Sequence, residues 1–460
     1  MYKIDFDKPC RVYFMGIGGI SMSGLAEILL KEGFSISGSD IKDSEITDIL
    51  KGYGATINIG QVAENITDDI DLVVYTAAIS KDNEEFQEVI RRNIPMLTRA
   101  QLLGQIMSNY KYGIAISGTH GKTTTTSMMS HVLLKADTDP TISIGGMLDA
   151  IGGNIRVGKS NYFVTEACEY TNSYHSFNPY ISIILNVDED HLDFFSGIEE
   201  IVESFKTFAE KLPDDGLLVI NGDMEHKARI ISDLNCNIIT FGLNPDNKYS
   251  ATDITFDAEG HPTYTLLIDG EKSQVIELHS TGIHNVVNSL SVIAVADFLG
   301  IGREHVTAGL LACTSAKRRF EHKGVTDKGV IILDDYAHHP TEITATLTAA
   351  KNTAHNELWC IFQPHTYTRT YALLDQFAEA LSACDHVILA DIYAAREKDT
   401  GVVSSKDLEE KINSLGGNAI YLGDFLSIEK FVEKNCKKND LLITMGAGNV
   451  DFIGNSLLKK

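Results

Sequence analysis

Two glycine-rich turns constrain this chain more than any other feature in it. FMGIGGISMSG spans residues 14–24 and ISGTHGKTTTTSMM spans residues 116–129. Each follows an apolar run and leads into residues with helical spacing. A strand feeding a helix through a glycine turn is the repeating unit of parallel α/β sheets, so the chain must hold at least two such units.

The rest of the pattern extends them. RVYFMGI, SMSGLAEILLKEG, FSISGSD and LVVYTAAI alternate strand and helix as a doubly wound sheet does. A polar patch, SNYKY, then precedes the fresh strand GIAISG and sets a first boundary near residue 108. YFVTEA, ISIILNV and GLLVING predict further strands, TYTLLIDG predicts an antiparallel flap, and NVVNSLSVIAVADFLG predicts a closing helix. After ACTSAKRRFEHKG a third series begins with GVIILDDYAHHP, LWCIFQPH, HVILADIY and DLLITMGAG, which puts a second boundary near residue 314. The expected fold is α/β in three domains: a Rossmann-like domain over 1–108, a central P-loop domain over 109–313 and a second Rossmann-like domain over 314–460.

Composition excludes several classes of function. With 63 acidic against 39 basic residues and a net charge of −24, nucleic acid and anionic membrane surfaces are poor partners. The N-terminus lacks the apolar core of a signal peptide, and no apolar run reaches the roughly 18 residues of a membrane span, so a cytoplasmic location is expected. Seven scattered cysteines form no CxxC pair and read as reduced and mostly buried. Cys168, between Glu166 and Glu169, is the one that could touch a site, although a small core residue is its expected role.

In the first turn Gly16, Gly18 and Ser21 occupy the positions of G-x-G-x-x-G, with serine in place of the third glycine. The glycines permit close backbone approach, and the following helix offers unpaired N–H groups to a diphosphate. Asp40, at the end of the next strand, stands where an acid meets a ribose hydroxyl. A glycine turn needed only for packing is the alternative. The second turn, Gly118-Thr119-His120-Gly121-Lys122-Thr123, is shorter than the usual phosphate loop but keeps its working parts. Lys122 supplies a cation to the β- and γ-phosphates, Thr123 a hydroxyl for Mg²⁺, and the backbone amides a cradle, so ATP or GTP binding is expected.

GTHGKTTT in mid-chain, with GIGGISMSG before it and TGIHNVVN, KRRFE, DDYAHHPTE and FQPHTYTR after it, resembles the Mur ligases of peptidoglycan synthesis across all three expected domains. The resemblance implies that the first turn holds a UDP-sugar rather than NAD, and the second holds ATP. It implies a UDP-sugar site of Gly16, Gly18, Gly19, Ser21, Met22, Ser23, Ser39, Asp40, Thr76 and Ala77. The ATP site it implies is Gly118 to Thr124, with His284, Asn285, Asn288, Arg319 and Asp335. Thr123, Glu169 and His191 match metal ligands, for Mg²⁺, although the family commonly has aspartate where Cys168 stands. Tyr336, His338, His339, His365 and Arg369, with His191, match the side that receives the muramoyl carboxylate and the amino acid. Thr366 stands where the family often carries arginine, which raises the expected importance of Arg369.

The combination GIGGISMSG, DDYAHHPTE and FQPHTYTR implies the member that joins L-alanine to UDP-N-acetylmuramate through an acyl phosphate. Lys122, Glu169, His338 and Arg369 are then the expected catalytic residues, with His338 taking the ammonium proton because histidine titrates near neutrality. A monomer or weak homodimer is expected. A recycling ligase that attaches a tripeptide to the same sugar is the nearest alternative, and FQPHTYTR argues against it. An NAD-dependent oxidoreductase would leave GTHGKT idle, and a P-loop switch or motor would leave the first turn unused.

Overall fold

RVYFM becomes the strand Arg11–Met15, buried at four of its five positions, and GISMSGLAEILLK supplies Gly19 as the cap of the helix Ile20–Lys31. The computed structural model describes residues 2–459 apart from Ala77, Asp193, Ser315, Ala316 and Arg396. The chain divides into two units, Met1–Val187 with Val202–Ile239, and Asp188–Ile201 with Thr240–Lys460.

The first unit contains an all-parallel five-stranded sheet ordered Thr56–Ile59, Ser35–Asp40, Arg11–Met15, Leu72–Tyr75 and Met96–Thr98. Tyr13, Met15, Val73, Phe86 and Val89 pack one face of it. The unit also carries strands ordered Leu217–Asn221, Ile181–Ile184, Tyr112–Ser117, Tyr162–Glu166, Thr141–Leu148 and Gly153–Arg156. All neighbours there are parallel except the last pair. Ile181–Ile184 is buried at every position, as a parallel strand covered on both faces should be.

In the second unit Tyr249–Phe256, Pro262–Ile268 and Glu271–Glu277 form the antiparallel meander expected of the flap. The helix Ile283–Phe298 packs on it, with Tyr264 and Ser289 sharing a buried hydroxyl hydrogen bond of 2.7 Å. The remaining sheet is ordered Glu321–Val325, Ile331–Asp335, Leu441–Met445, Leu358–Phe362, His386–Ala390 and Ala419–Gly423. Only its first pair is antiparallel. LWCIF and LLITM are buried at all five positions because separate apolar clusters cover the two faces. Among the described residues no helix is long and apolar enough to cross a membrane. All seven cysteines are free, four of them buried.

Candidate active site

Arg11–Met15 lies between Ser35–Asp40 and Leu72–Tyr75, so the first glycine turn leaves the sheet where strand order reverses. Open parallel sheets hold ligands beyond such a reversal. Gly16 and Ile17 donate their N–H groups to Ser39 O at 2.9 and 3.0 Å. Gly18 N donates to Asp40 Oδ2 at 2.8 Å, and Ile41 N donates to Asp40 Oδ1 at 2.8 Å. Asp40, expected to face a ribose, therefore fastens the turn, with both carboxylate oxygens already accepting backbone N–H groups.

Two other expected sugar contacts turn their side chains into the protein. Ser39 is fully buried and donates its hydroxyl to the buried Glu85 at 2.6 Å, because alternate residues of the strand face opposite sides. Met22 sits in the core side of its helix. Gly19 and Ser21 are exposed, Ser23 is half-buried, and the Thr76 methyl group lies beside Gly16. Ala77 lies outside the described residues.

The second turn joins Tyr112–Ser117 to the helix Lys122–Lys135. Gly118 has φ +142°, and a Cβ there would stand 2.9 Å from Leu185 Cβ, so both conformation and space require glycine. Asn186 clamps the turn: its Oδ1 accepts His120 N at 2.8 Å, its Nδ2 donates to His120 O at 3.0 Å, and its backbone O accepts Thr119 N at 3.2 Å. Sequence reasoning passed over Asn186, although it lies within ISIILNV, two residues past the strand Ile181–Ile184 that pairs with the phosphate-loop strand. The helix leaves its first N–H groups without intrahelical partners, and half-buried Thr123 and buried Thr124 open it.

Lys122 Nζ donates to Gly118 O at 2.5 Å, to Thr119 O at 3.0 Å, and to Glu169 at 3.2 and 3.0 Å. Glu169 is 2% exposed. Burial pulls the lysine toward its neutral form, but the Glu169 carboxylate outweighs that and holds the ammonium above the ordinary lysine range. Charges about 3 Å apart at an effective dielectric near 20 attract by about 5 kcal/mol before desolvation. Cys168 is half-buried, and desolvation raises the pKa of its thiol. Glu166 accepts Gly145 N at 2.7 Å. Thr123, Glu166 and Glu169 give this end of the unit the hard oxygen donors that Mg²⁺ takes.

The second unit holds the other expected residues. At the start of Ile283–Phe298, His284 is buried with Nδ1 unpartnered, and burial lowers its pKa to about 4. Asn285 donates to Thr281 O at 2.8 Å and Asn288 donates to Asn285 Oδ1 at 3.0 Å, an internal helix-end network.

Loops after Ile331–Asp335, Leu441–Met445 and Leu358–Phe362 leave one edge of the last sheet, since these strands are parallel neighbours. Asp335 accepts N–H groups from Phe320 at 2.8 Å and Ala337 at 2.7 Å, so it organises its own turn; burial raises its pKa to about 6. Arg319 stands 3.7 Å from Glu342 and shares the Tyr336 ring with Arg318, at 5.3 and 5.1 Å from the centroid. Glu342, in the quoted DDYAHHPTE, was not singled out from sequence. Its Oε2 also accepts His338 N at 3.1 Å.

His338 is half-buried, with Nδ1 2.9 Å from Tyr336 O, and desolvation lowers its pKa to about 4. An imidazole that acidic is a poor acceptor for an ammonium proton, which weighs against the expected base. His339 is occupied structurally: its Nδ1 accepts Thr341 N at 3.3 Å as a helix cap, and its Nε2 donates to Glu189 O at 2.9 Å. It does not stand open to a substrate. His365 lies 3.2 Å from an Arg369 nitrogen, and Arg369 donates to Asp190 Oδ1 at 3.2 and 2.8 Å. Asp190 also accepts His191 N at 2.6 Å. Although burial opposes ionisation, Arg369 beside it and His191 hold Asp190 far below the usual carboxylate range. A cavity of about 30 Å³ is walled by Asp190, His191, Thr366, Thr368, Arg369 and Glu397. Sequence reasoning took His191 from DEDHLD and missed Asp190.

Family models match along most of the chain. Residues 11–111 match the Mur ligase family catalytic domain, 116–296 the Mur ligase middle domain, and 318–448 the Mur ligase glutamate ligase domain. The chain is 58% identical over 460 residues to a UDP-N-acetylmuramate--L-alanine ligase of Lachnospira eligens, covering 100% of both chains. It is 53% identical to the protein of that name from Agathobacter rectalis, again over 100% of both. The crystal structure of UDP-N-acetylmuramate-alanine ligase MurC from Thermotoga maritima superposes with a TM-score of 0.78 at 28% identity, covering 98% of each chain.

Proposed function

The chain belongs to the Mur ligase family, and from that premise we propose that it joins L-alanine to the carboxylate of UDP-N-acetylmuramate at the expense of ATP. The product is UDP-N-acetylmuramoyl-L-alanine, with ADP and phosphate. The observation that carries a ligase reading is the pairing, in one unit, of a diphosphate-type turn with a phosphate loop whose lysine is buried against Glu169. The choice of alanine rests on the full-length likeness to ligases named for that reaction.

The chemistry follows from the charges. A carboxylate oxygen attacks the γ-phosphorus, the bond to the bridging oxygen breaks, and ADP leaves with that electron pair. The alanine amine then attacks the acyl carbon, and phosphate departs with the C–O pair. The first step brings two anions together, and Lys122, held at the mouth of the turn, is the fixed cation for the phosphates. Thr123 and Glu169 would supply oxygen donors to Mg²⁺ bound with ATP, whose charge would offset that of the phosphates, and family pattern assigns His191 to a second ion. Asn186 ties down the Thr119 and His120 amides and so fixes the path of the turn that leads into the helix. Arg369 presents a planar fork suited to the amino acid's carboxylate, a place Asp190 holds in the free protein.

We assign UDP-sugar binding to residues 1–108, ATP binding to 109–313 and the amino-acid side to 314–460. The direct test is phosphate release from MgATP with UDP-N-acetylmuramate and either L-alanine or the L-alanyl-D-glutamyl tripeptide, with product masses measured. Release requiring sugar and alanine, with a muramoyl-alanine mass, supports the proposal; product formed only with the tripeptide overturns it. Lys122→Ala should abolish turnover while leaving UDP-sugar affinity within about threefold of the parent.

A further inference from the structure

Glu342 lies in the first turn of the helix Pro340–Lys351, and its two carboxylate oxygens face different residues. Oε1 is 3.7 Å from Arg319 Nη1, on the side that the family pattern gives to ATP. Oε2 accepts His338 N at 3.1 Å and lies 3.3 Å from His338 Nδ1, on the side given to the amino acid. The two holds are unequal. At 3.7 Å the contact with Arg319 is an ion pair without a hydrogen bond, whereas the backbone N–H of His338 is bonded directly.

The two arginines of KRRFE divide in the same sense. Arg318 donates to Asp334 at 2.8 Å and to Gly448 O and Gly446 O at 2.9 and 2.7 Å, so that side chain is committed to the protein. Arg319 is held by the longer ion pair and by the Tyr336 ring, 5.3 Å away, a hold that a phosphate can displace. The imidazole is set more firmly. His338 Nδ1 lies 2.9 Å from Tyr336 O and 3.3 Å from Glu342 Oε2. A carbonyl and a carboxylate both accept and neither donates, so Nδ1 carries the proton and Nε2 keeps its lone pair. A neutral imidazole too acidic to deprotonate an ammonium can still accept a hydrogen bond from it at that nitrogen.

We propose that Glu342 is a positioning residue for the amino-acid step: it holds His338 with Nδ1 protonated, leaving Nε2 to accept an N–H of the incoming ammonium, and its hold tightens when ATP phosphates draw Arg319 from its other oxygen. The proposal rests on the ligase reading above. With Arg319 beside it, the carboxylate charge is divided between two partners. Once the guanidinium turns to phosphate, that charge acts undivided on His338 Nδ1–H, so nucleotide on one side readies the imidazole on the other.

The experiment uses protein with isotope-labelled histidine rings, with the His338 signals identified by their loss in His338→Ala. Thermal melting first establishes that this variant, Glu342→Gln, Glu342→Asp and the double variant fold. The wild type is expected to show the Nδ1–H tautomer, and a non-hydrolysable ATP analogue with Mg²⁺ should move the Nδ1 proton downfield. Glu342→Gln keeps the shape and removes the charge, and should lose that response. At saturating ATP and UDP-N-acetylmuramate, Glu342→Gln should lower kcat/KM for alanine about tenfold or more, and Glu342→Asp should recover part of the loss. In the His338→Ala background the glutamine substitution should cost less than about twofold, because Glu342 acts through the imidazole. A wild-type Nε2–H tautomer, an ATP response that survives in Glu342→Gln, or equal losses in the two backgrounds overturns the proposal. A wild type that shows the tautomer and its ATP response but forms no muramoyl-alanine would refute the ligase reading and still support the hold of Glu342 on His338.

Discussion

Replacing Glu169 by glutamine keeps the shape of the side chain and removes its charge, which isolates what the carboxylate does for Lys122. In the parent the ammonium has two carbonyl partners at 2.5 and 3.0 Å and two carboxylate oxygens at 3.2 and 3.0 Å. Without the carboxylate a buried cation keeps only neutral acceptors. Breaking such a pair from one side costs about 3–5 kcal/mol, out of a typical domain stability of about 5–15 kcal/mol. At about 2–4 °C per kcal/mol for a unit of this size, melting should fall by about 10 °C. Glu169→Gln combined with Lys122→Met should recover most of the loss, because the stranded charge is gone. Nucleotide offers a second check. In the presence of EDTA, where no metal role intervenes, ATP should stabilise Glu169→Gln more than the parent, since its phosphates restore the missing negative charge. A single variant melting within about 1 °C of the parent, or a double variant equal to the sum of the singles, would refute the reasoning.

Asn186→Ala removes two hydrogen bonds from the His120 backbone; at about 1 kcal/mol each, the variant should lose about 2 kcal/mol and bind ATP more weakly, with UDP affinity unchanged. Parallel loss of UDP affinity would contradict a local clamp. His284 and His338 have pKa values lowered by burial to about 4 from 6.5, so the fold favours their neutral forms. The stability this gives is present above pH 6.5 and is lost as pH falls toward 4, by about 2 kcal/mol per residue at pH 5. Nitrogen shifts of either imidazole titrating near pH 6.5 in the folded protein would exclude it. His339→Ala should cost about 1–2 kcal/mol through the lost cap, measured by thermal melting, while KM for alanine stays within twofold. A tenfold rise in that KM with little change in melting would return His339 to the substrate side.

The α/β architecture was legible because each glycine turn sits between a buried strand and a helix, and those patterns are local. What escaped was partnership across the chain. Asp40 stands at the spacing of a ribose contact, yet whether its carboxylate faces a ligand depends on where Gly18 N points, 22 residues away. At Ser39 the strand's alternation turns the hydroxyl toward Glu85, which its place beside Asp40 in SGSD does not reveal. Asn186 carries no motif of its own and gains its role because Ile181–Ile184 pairs with Tyr112–Ser117. The histidines of AHHP look alike in sequence, but one caps a helix and the other lies half-buried against Tyr336 O and Glu342.

The Lys122–Glu169 and Arg369–Asp190 pairs give a physical reading of how an acidic chain binds anionic substrates. A net charge of −24 offers no long-range attraction to ATP or a UDP-sugar, so recognition must come from local cations. Those cations are buried or nearly so, and leaving them unpaired in the free protein would cost several kcal/mol each. On the roles proposed above for Lys122 and Arg369, Glu169 and Asp190 hold the positions in the meantime, accepting the N–H groups proposed for a phosphate and an amino-acid carboxylate. Binding is then an exchange of one anion for another, and the net gain is the difference between two similar pairings rather than the full strength of either. Moderate ground-state affinity for each substrate follows from that exchange, which leaves interaction strength for the phosphoryl and acyl transfer steps, where the charge to be stabilised is greatest.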